Sequence, residues 1–376
     1  MAISTIFAVN GALLGTWAPR IPEVQKRLGI GDGTLGIVLF ALAAGSLTAM
    51  PVAGWFMQRW GSTRVLRLSA VTACLLPAGV GAGHGLAVIW TALFVWGVAL
   101  GAMDVAMNAQ AVAVGRAADR PVINGIHACF SVGSLLGAAI GAGAAALAVP
   151  LAVHLSGLGV LGLVCCLRSL PRASLAATAS DPGTDSLVGN SDGRSSQVLA
   201  FTVLCTSAYA AMFAEGASAD WSAVRLKESG VSDGAAGLGY VAFALTMLLG
   251  RFSGDAVARR MGQGRMALAA VIVGAVGSAV GFSSSGALPV IFSFGSLGLG
   301  LSCLMPYLFT VAGNVGSSAH VAVTAVSTSG YVGLLSGPGV IGWLAELSSV
   351  AKALWILPVL LLIGSLPAVL RTARGK

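Results

Sequence analysis

Long apolar runs separated by short polar turns organise the chain from end to end. Twelve can be marked, at 2–19, 34–57, 66–83, 86–114, 122–147, 149–167, 198–217, 235–256, 265–284, 287–312, 321–345 and 350–370. Each approaches the roughly 20 residues that a helix needs to cross a ~30 Å hydrocarbon layer. In lipid a helix pairs its own backbone groups, so it is the economical state for such runs. A membrane barrel would show alternating segments of about ten residues instead. The pattern therefore predicts an all-α membrane protein of twelve transmembrane helices. One stretch breaks it, the Ser-, Gly- and Asp-rich residues 171–197. It reads as a flexible linker. The domains expected are 1–167, a cytoplasmic linker at 168–197, and 198–376.

Composition agrees. Of 376 residues, 56% are hydrophobic and 9% charged, against about 25% charged in a soluble domain. The 52 glycines follow no three-residue period and suit close helix packing in a bilayer. The net charge of +8 lies in short clusters between apolar runs, which speaks against nucleic-acid binding. With the N-terminus inside, fourteen of the 21 Lys and Arg residues fall on the cytoplasmic side and six outside. That asymmetry places both termini in the cytoplasm. No basic region of a cleavable signal precedes the first run, and a few natural N-terminal residues are expected to be missing before it. The six cysteines and four histidines show no metal-ligand spacing, so buried thiols and no cofactor are expected.

The two halves echo each other. GWFMQRWGSTRVLR (54–67) follows the second run and GRFSGDAVARRMGQGR (250–265) closes the eighth. Arg59 and Gly61 in the first correspond to Arg260 and Gly262 in the second, each with further basic residues such as Arg64. One turn repeated at matching places predicts two pseudo-symmetric six-helix bundles, the organisation of secondary transporters.

Several polar residues interrupt the apolar runs. In GAMDVAMNAQ (101–110), Asp104 costs about 2.5–3.5 kcal/mol near a helix centre by insertion scales. Asn108 stands one turn on, and Gly97 and Gly101 share its face. This face is expected to line a cavity in which a buried carboxyl exchanges a proton; the alternative is a structural hydrogen bond to a neighbouring helix. His127, a turn before Ser131, could hold a hydroxyl, pass a proton or brace a helix. Glu215 is expected to project into the cavity. Asp220 is open to helix capping, an outer-gate pairing with Arg20 or solute contact, and Trp221 suits the membrane boundary. Pro19 and Pro22 are expected to end the first helix and leave Arg20 as an interfacial anchor. Arg251 and Asp255, at i and i+4, are expected to pair as an inner gate or brace. GYVGLLSGPGVIG (330–342) combines packing glycines with Pro338.

These features resemble the major facilitator superfamily along nearly the whole chain. Its loop signature, approximately G-x-x-x-D-R-x-G-R-R, is met by Gly54, Arg59, Gly61 and Arg64, with Gln58 in place of the Asp. The resemblance thus implies a weakened or relocated gate in the first half. GAMDVAMNAQ, INGIHACFSVGSLLGA (123–138) and AEGASADWSAV (214–224) are similar to a bacterial branch containing fucose permease and the rhizopine-locus membrane protein. Gly101, Asp104 and Asn108 match that branch's Gly-x-x-acid-x-x-x-Asn pattern, which implies proton coupling at Asp104 and solute binding at Asn108. His127 stands where a sugar-binding Gln is usual, and Asn10 is the internal polar group nearest the usual first-helix acid. Glycine-rich 330–342 looks like an antiporter signature, displaced from the fifth helix to the eleventh.

The function expected is proton-coupled transport of a small polar organic solute, a sugar or cyclitol first, by a monomer in a bacterial inner membrane. Asp104 and Glu215 would carry protons; Asn108, His127, Asn10 and Ser131 would bind solute; Arg59, Gly61, Arg64, Arg251, Asp255, Arg260, Arg20 and Asp220 would gate. The alternatives are a proton-driven exporter of drugs or metabolites and a non-transporting sensor or scaffold. No nucleophile–base pair or phosphate-binding loop points to an enzyme or to ATP drive.

Overall fold

The computed structural model describes residues 2–118, 123–177, 194–284, 286–313 and 319–374. Among them there is no strand. In chain order the helices are α1 Ala2–Trp17, α2 Ile21–Leu28, α3 Asp32–Trp60, α4 Ser62–Leu75, α5 Pro77–Ala82, α6 Leu86–Ala118, α7 Ile123–Ala146 and α8 Leu151–Ala177. There follow α9 Arg194–Lys227, α10 Asp233–Ala236, α11 Leu238–Met261, α12 Gln263–Phe282, α13 Ala287–Leu301, α14 Leu304–Gly313 and α15 Ala319–Leu347. The chain closes with α16 Val350–Ala353, α17 Ile356–Leu360 and α18 Leu366–Arg374. Ten helical stretches of the described residues are long and apolar enough to cross a membrane.

Two boundaries refine the sequence reading. The first α-helix ends at Trp17, just before Pro19, as expected, but the chain stays helical: a 3-10 turn, Ala18–Arg20, joins α1 to α2, and each proline stands in the first turn of its segment. There the missing N–H has no helical partner to lose. The linker expected at 168–197 is helical at both ends, since α8 runs to Ala177 and α9 begins at Arg194. Residues 178–193 lie outside the described residues.

The described chain forms two compact units. The first comprises Met1–Gly183 with Ser232–Leu238, the second Thr184–Val231 with Gly239–Lys376. Within the first, α1 and α7 pack through interleaved glycines. Gly11 and Gly15 lie on the α7 backbone at Phe130 and Ser134, while Gly133 and Gly137 lie on the carbonyls of Ala8 and Ala12. A methyl at Gly141 would stand 2.6 Å from the carbonyl oxygen of Thr16. In lipid, association rests on such close packing, because water exclusion supplies no drive there. Gly45 and Gly97 bring α3 and α6 together in the same way. The second unit repeats the device between α9 and α15, where Gly216 meets Leu334, Gly333 meets Tyr209 and Gly337 meets Phe213. Gly330, Gly333 and Gly337 of the 330–342 stretch thus serve helix packing.

Candidate functional site

In the first unit the candidate residues gather on α1, α6 and α7. Asn108 turns back along α6: its Nδ2 donates to the backbone oxygen of Asp104 at 2.9 Å and to Oδ1 of Asp104 at 3.2 Å. Both side chains are half-buried, inside the apolar span Leu86–Ala111. Asn10 reaches the same helix from α1, donating from Nδ2 to Sδ of Met107 at 3.5 Å. Its Oδ1 is buried without a protein partner, an acceptor left for water or solute. One turn earlier on α1, Phe7 meets His127 of α7 edge to face, with ring centroids 5.0 Å apart. His127 is exposed and Ser131 buried.

The glycine face of α6 corrects one expectation. Gly97 lies against the Leu42 carbonyl and Gly101 against Ser46, so this part of the face is a seam with α3. The close approach of two backbones leaves no cavity wall at those turns.

The second unit holds a charge pair that the sequence does not join. Nη2 of Arg251, on α11, lies 3.9 Å from Oε1 of Glu215, on α9. Their side chains are 32% and 26% exposed. An intramembrane arginine is costly unless an anion or water compensates it. Arg251 had been expected to pair with Asp255 on its own helix; the Asp255 side chain lies outside the described residues. Closer to the start of α9, an open cleft of about 460 Å³ is lined by Phe201, Thr202, Cys205, Thr206, Tyr209 and Ser329. Tyr209, one of the lining residues, shares a 2.9 Å hydroxyl hydrogen bond with Ser336.

Arg20 is not an exposed anchor. It is 1% exposed and sits in a network inside the first unit. Nη1 donates to Nδ1 of His154 at 3.1 Å, Nη2 donates to the Val149 carbonyl at 2.8 Å, and Nε donates to Glu23 at 2.8 Å. Guanidinium only donates, so Nδ1 of His154 is the acceptor and Nε2 carries the hydrogen. Nε2 then donates to Oγ1 of Thr16 at 2.9 Å. The sequence reading missed His154, Thr16 and Glu23. The i, i+4 spacing of Thr16 and Arg20 was the available signal, obscured by reading Arg20 as an anchor beyond the end of the helix.

Asp220 and Trp221 also move from their expected places. Since α9 continues to Lys227, Asp220 caps no helix. Trp221 is fully buried, with Nε1 unpartnered, and is no boundary indole. The basic residues of the repeated turn, Arg59, Arg64 and Arg260, are exposed at helix ends. Arg59 lies over the ring of Trp55, 5.8 Å from its centroid. Gly61 and Gly262 hold the two turns at φ 79° and 87°.

Residues 3–316 match the sequence profile of the Major Facilitator Superfamily. The chain belongs to this superfamily. An MFS-type transporter of Yersinia pestis is 35% identical over 359 residues, covering 95% of this chain and 91% of that one. Membrane protein MosC of Rhizobium meliloti is 32% identical over 362 residues, covering 94% and 85%. Among solved structures, the inward-facing, occupied form of a bacterial homologue of the lysosomal transporter Spinster superposes with a TM-score of 0.72 at 15% identity, covering 100% and 96% of the two chains. The nucleoside transporter NupG does so with a TM-score of 0.72 at 10% identity, covering 100% and 99%. The superfamily is one of transporters, and this member is a multi-pass membrane protein. Within it, the charged and polar groups above are the candidates for coupling and recognition.

Proposed function

We propose that this chain is a secondary active transporter that carries a small polar organic solute, coupled to protons, by alternating access. On this reading α9 and α15 add two spans to the ten apolar stretches, giving twelve in two six-helix halves, 1–167 and 198–376, joined by the linker at 168–197. Both termini lie in the cytoplasm of a bacterial inner membrane, where most basic loop residues fall. The protein works as a monomer.

One observation carries the proposal: two partly exposed carboxyl groups are held within long helices of a membrane protein, Asp104 by Asn108 and Glu215 beside Arg251. A carboxyl that faces lipid, or dry packing, has no such use; one with a polar partner and an exposed edge can take and release a proton. Asp104 and Glu215 carry the coupling protons. Asn108, Asn10, His127 and Ser131 contact the solute, and the orphan Oδ1 of Asn10 accepts from one of its hydroxyls. A sugar or cyclitol suits these uncharged donors and acceptors, and the 7% aromatic content disfavours a broad apolar drug site. The basic turns at Arg59, Gly61, Arg64 and Arg260 gate the cytoplasmic side, with Arg251 and Asp255 near it and Arg20 and Asp220 towards the other.

The experiment is uptake into proteoliposomes of labelled sugars and cyclitols under an imposed proton gradient, with external pH recorded. Solute entry accompanied by alkalinisation is the expected result. Solute movement with no proton movement would remove the coupling, and solute driven outwards by the gradient would make the chain an exporter.

A further inference from the structure

We infer that α9 holds a small inorganic anion of the chloride kind against a buried strip of donors, Trp221, Ser222 and Arg225, with Ser218 at its edge.

Burial and bonding single out this strip. Among the described residues seven buried side-chain polar atoms lack a hydrogen-bond partner, and four of them fall within eight residues of α9: Oγ of Ser218, Nε1 of Trp221, Oγ of Ser222 and Nε of Arg225. Ser218, Trp221 and Ser222 are fully buried, and Arg225 is 5% exposed. Positions i, i+3, i+4 and i+7 share one face of a helix, over about 10 Å of its axis. A helical hydroxyl can satisfy itself by donating back to its own helix. Ser207, Ser253 and Ser293 do so, to the carbonyls of Val203, Leu249 and Pro289 at 2.8, 2.8 and 3.2 Å. Ser218 and Ser222 do not. Each buried donor left unmade costs about 1–3 kcal/mol, and four on one face call for a shared partner.

The chemistry of the four atoms chooses that partner. Indole and guanidinium N–H groups only donate, and each hydroxyl has one hydrogen to place. A water could accept from Trp221 and Arg225, but its own hydrogens would go to the serine oxygens and leave the serine protons unplaced. A monatomic anion accepts from several directions and donates nothing. Every residue from 221 to 226 is buried, surroundings that suit a compact ion over a polyatomic organic acid.

Charge agrees. Nη1 of Arg225 reaches along the helix, donating to Oγ of Ser229 at 3.2 Å with Oε2 of Glu228 at 3.7 Å. Nε takes no part in either contact, and helical side chains lean towards the N-terminus, which is the direction of Trp221 and Ser222. Arg225 and Lys227 outnumber Glu228 at this end of α9. Asp220 lies on the opposite face of the helix, and Glu215 stands two turns before Ser222. Trp221 and Ser222 lie more than a turn before the helix end at Lys227, beyond the reach of its C-terminal dipole.

The test uses the full chain in detergent. Equilibrium binding of radiolabelled chloride is measured at constant ionic strength, with methanesulfonate as the replacement ion, beside thermal unfolding in the two salts. The expected result is a single saturable ion per chain, displaced by bromide, and a higher unfolding temperature in chloride. Ser222→Ala and Trp221→Phe should each weaken binding about tenfold or more, as expected for losing a hydrogen bond to a charged partner. Ser253→Ala should leave it unchanged. In methanesulfonate Ser222→Ala should unfold no lower than the parent, because the hydroxyl it removes is unpaired without the ion. In chloride it should lose the parent's advantage. Binding to the parent chain needs no variant, so it decides the matter even if Trp221→Phe does not fold. Absence of saturable chloride binding overturns the inference, and so does binding that Ser222→Ala and Trp221→Phe both leave intact. Neither result touches the transport reading, since no solute or proton is moved.

Discussion

Gly61 and Gly262 adopt one backbone conformation, φ 79° with ψ 149° and φ 87° with ψ 148°, and each stands at the N-cap of the helix after a basic turn. The region is open essentially to glycine alone, because a Cβ there collides with the backbone. Gln110, from the end of α6, donates to the hydroxyls of Ser62 at 2.8 Å and Thr63 at 3.1 Å and so braces the first of these turns.

It follows that Gly61→Ala and Gly262→Ala should each destabilise the protein by about 1–3 kcal/mol. Thermal unfolding in detergent should show similar losses for the two. Gly54→Ala is the control, since Gly54 lies inside α3 with nothing within 4 Å of an added methyl. It should be neutral or slightly stabilising. A Gly262→Ala protein as stable as the parent would argue against the shared strain.

The Arg20 network makes a second prediction. His154→Ala removes the acceptor of a buried guanidinium N–H and should cost about 1–3 kcal/mol. His154→Gln can offer an amide oxygen to Arg20 and should recover part of the loss. The readout is again the unfolding temperature. Equal losses for Ala and Gln would mean that packing, not the hydrogen bond, matters at 154.

The repeated turn was legible in the sequence because Arg-x-Gly recurs at matching places and its glycines answer a purely local demand. The helical character of the apolar runs was legible for the same reason: each satisfies its own backbone. Groups whose partners are distant in sequence were not. Nothing in the spacing joins Glu215 to Arg251 or Arg20 to His154, since both pairs depend on which helices pack together. Pro19 did mark the end of α1, but not that a 3-10 turn and a second helix continue directly from it. Gly97 and Gly101 share a face with Asp104, but only packing decides that their part of it meets α3.

Two glycines on α7 separate packing from chain flexibility. Gly137 lies on the Ala12 carbonyl, whereas Gly143 has nothing within 4 Å of an added methyl. Gly137→Ala should cost about 1–3 kcal/mol through overpacking. Gly143→Ala should gain about 0.5–1 kcal/mol from the better helix former. Unfolding curves of the two variants should therefore shift in opposite directions. A shift in the same direction would show that the α1–α7 seam yields to an extra methyl.

Asp104 and Asn108 allow binding and coupling to be told apart. Asp104→Asn keeps the shape of the side chain and an oxygen that can accept from Nδ2 of Asn108, as Oδ1 does at 3.2 Å. The fold and the solute contacts should then survive, while the group that takes a proton is gone. Counterflow of labelled solute between preloaded proteoliposomes and medium should persist near the parental rate, and gradient-driven accumulation should disappear. Asn108→Ala should do the reverse. It removes hydrogen bonds of about 1 kcal/mol, so KM should rise roughly fivefold while a proton still accompanies each solute. If Asp104→Asn accumulates solute as well as the parent does, proton coupling belongs elsewhere, and Glu215 is the remaining intramembrane candidate.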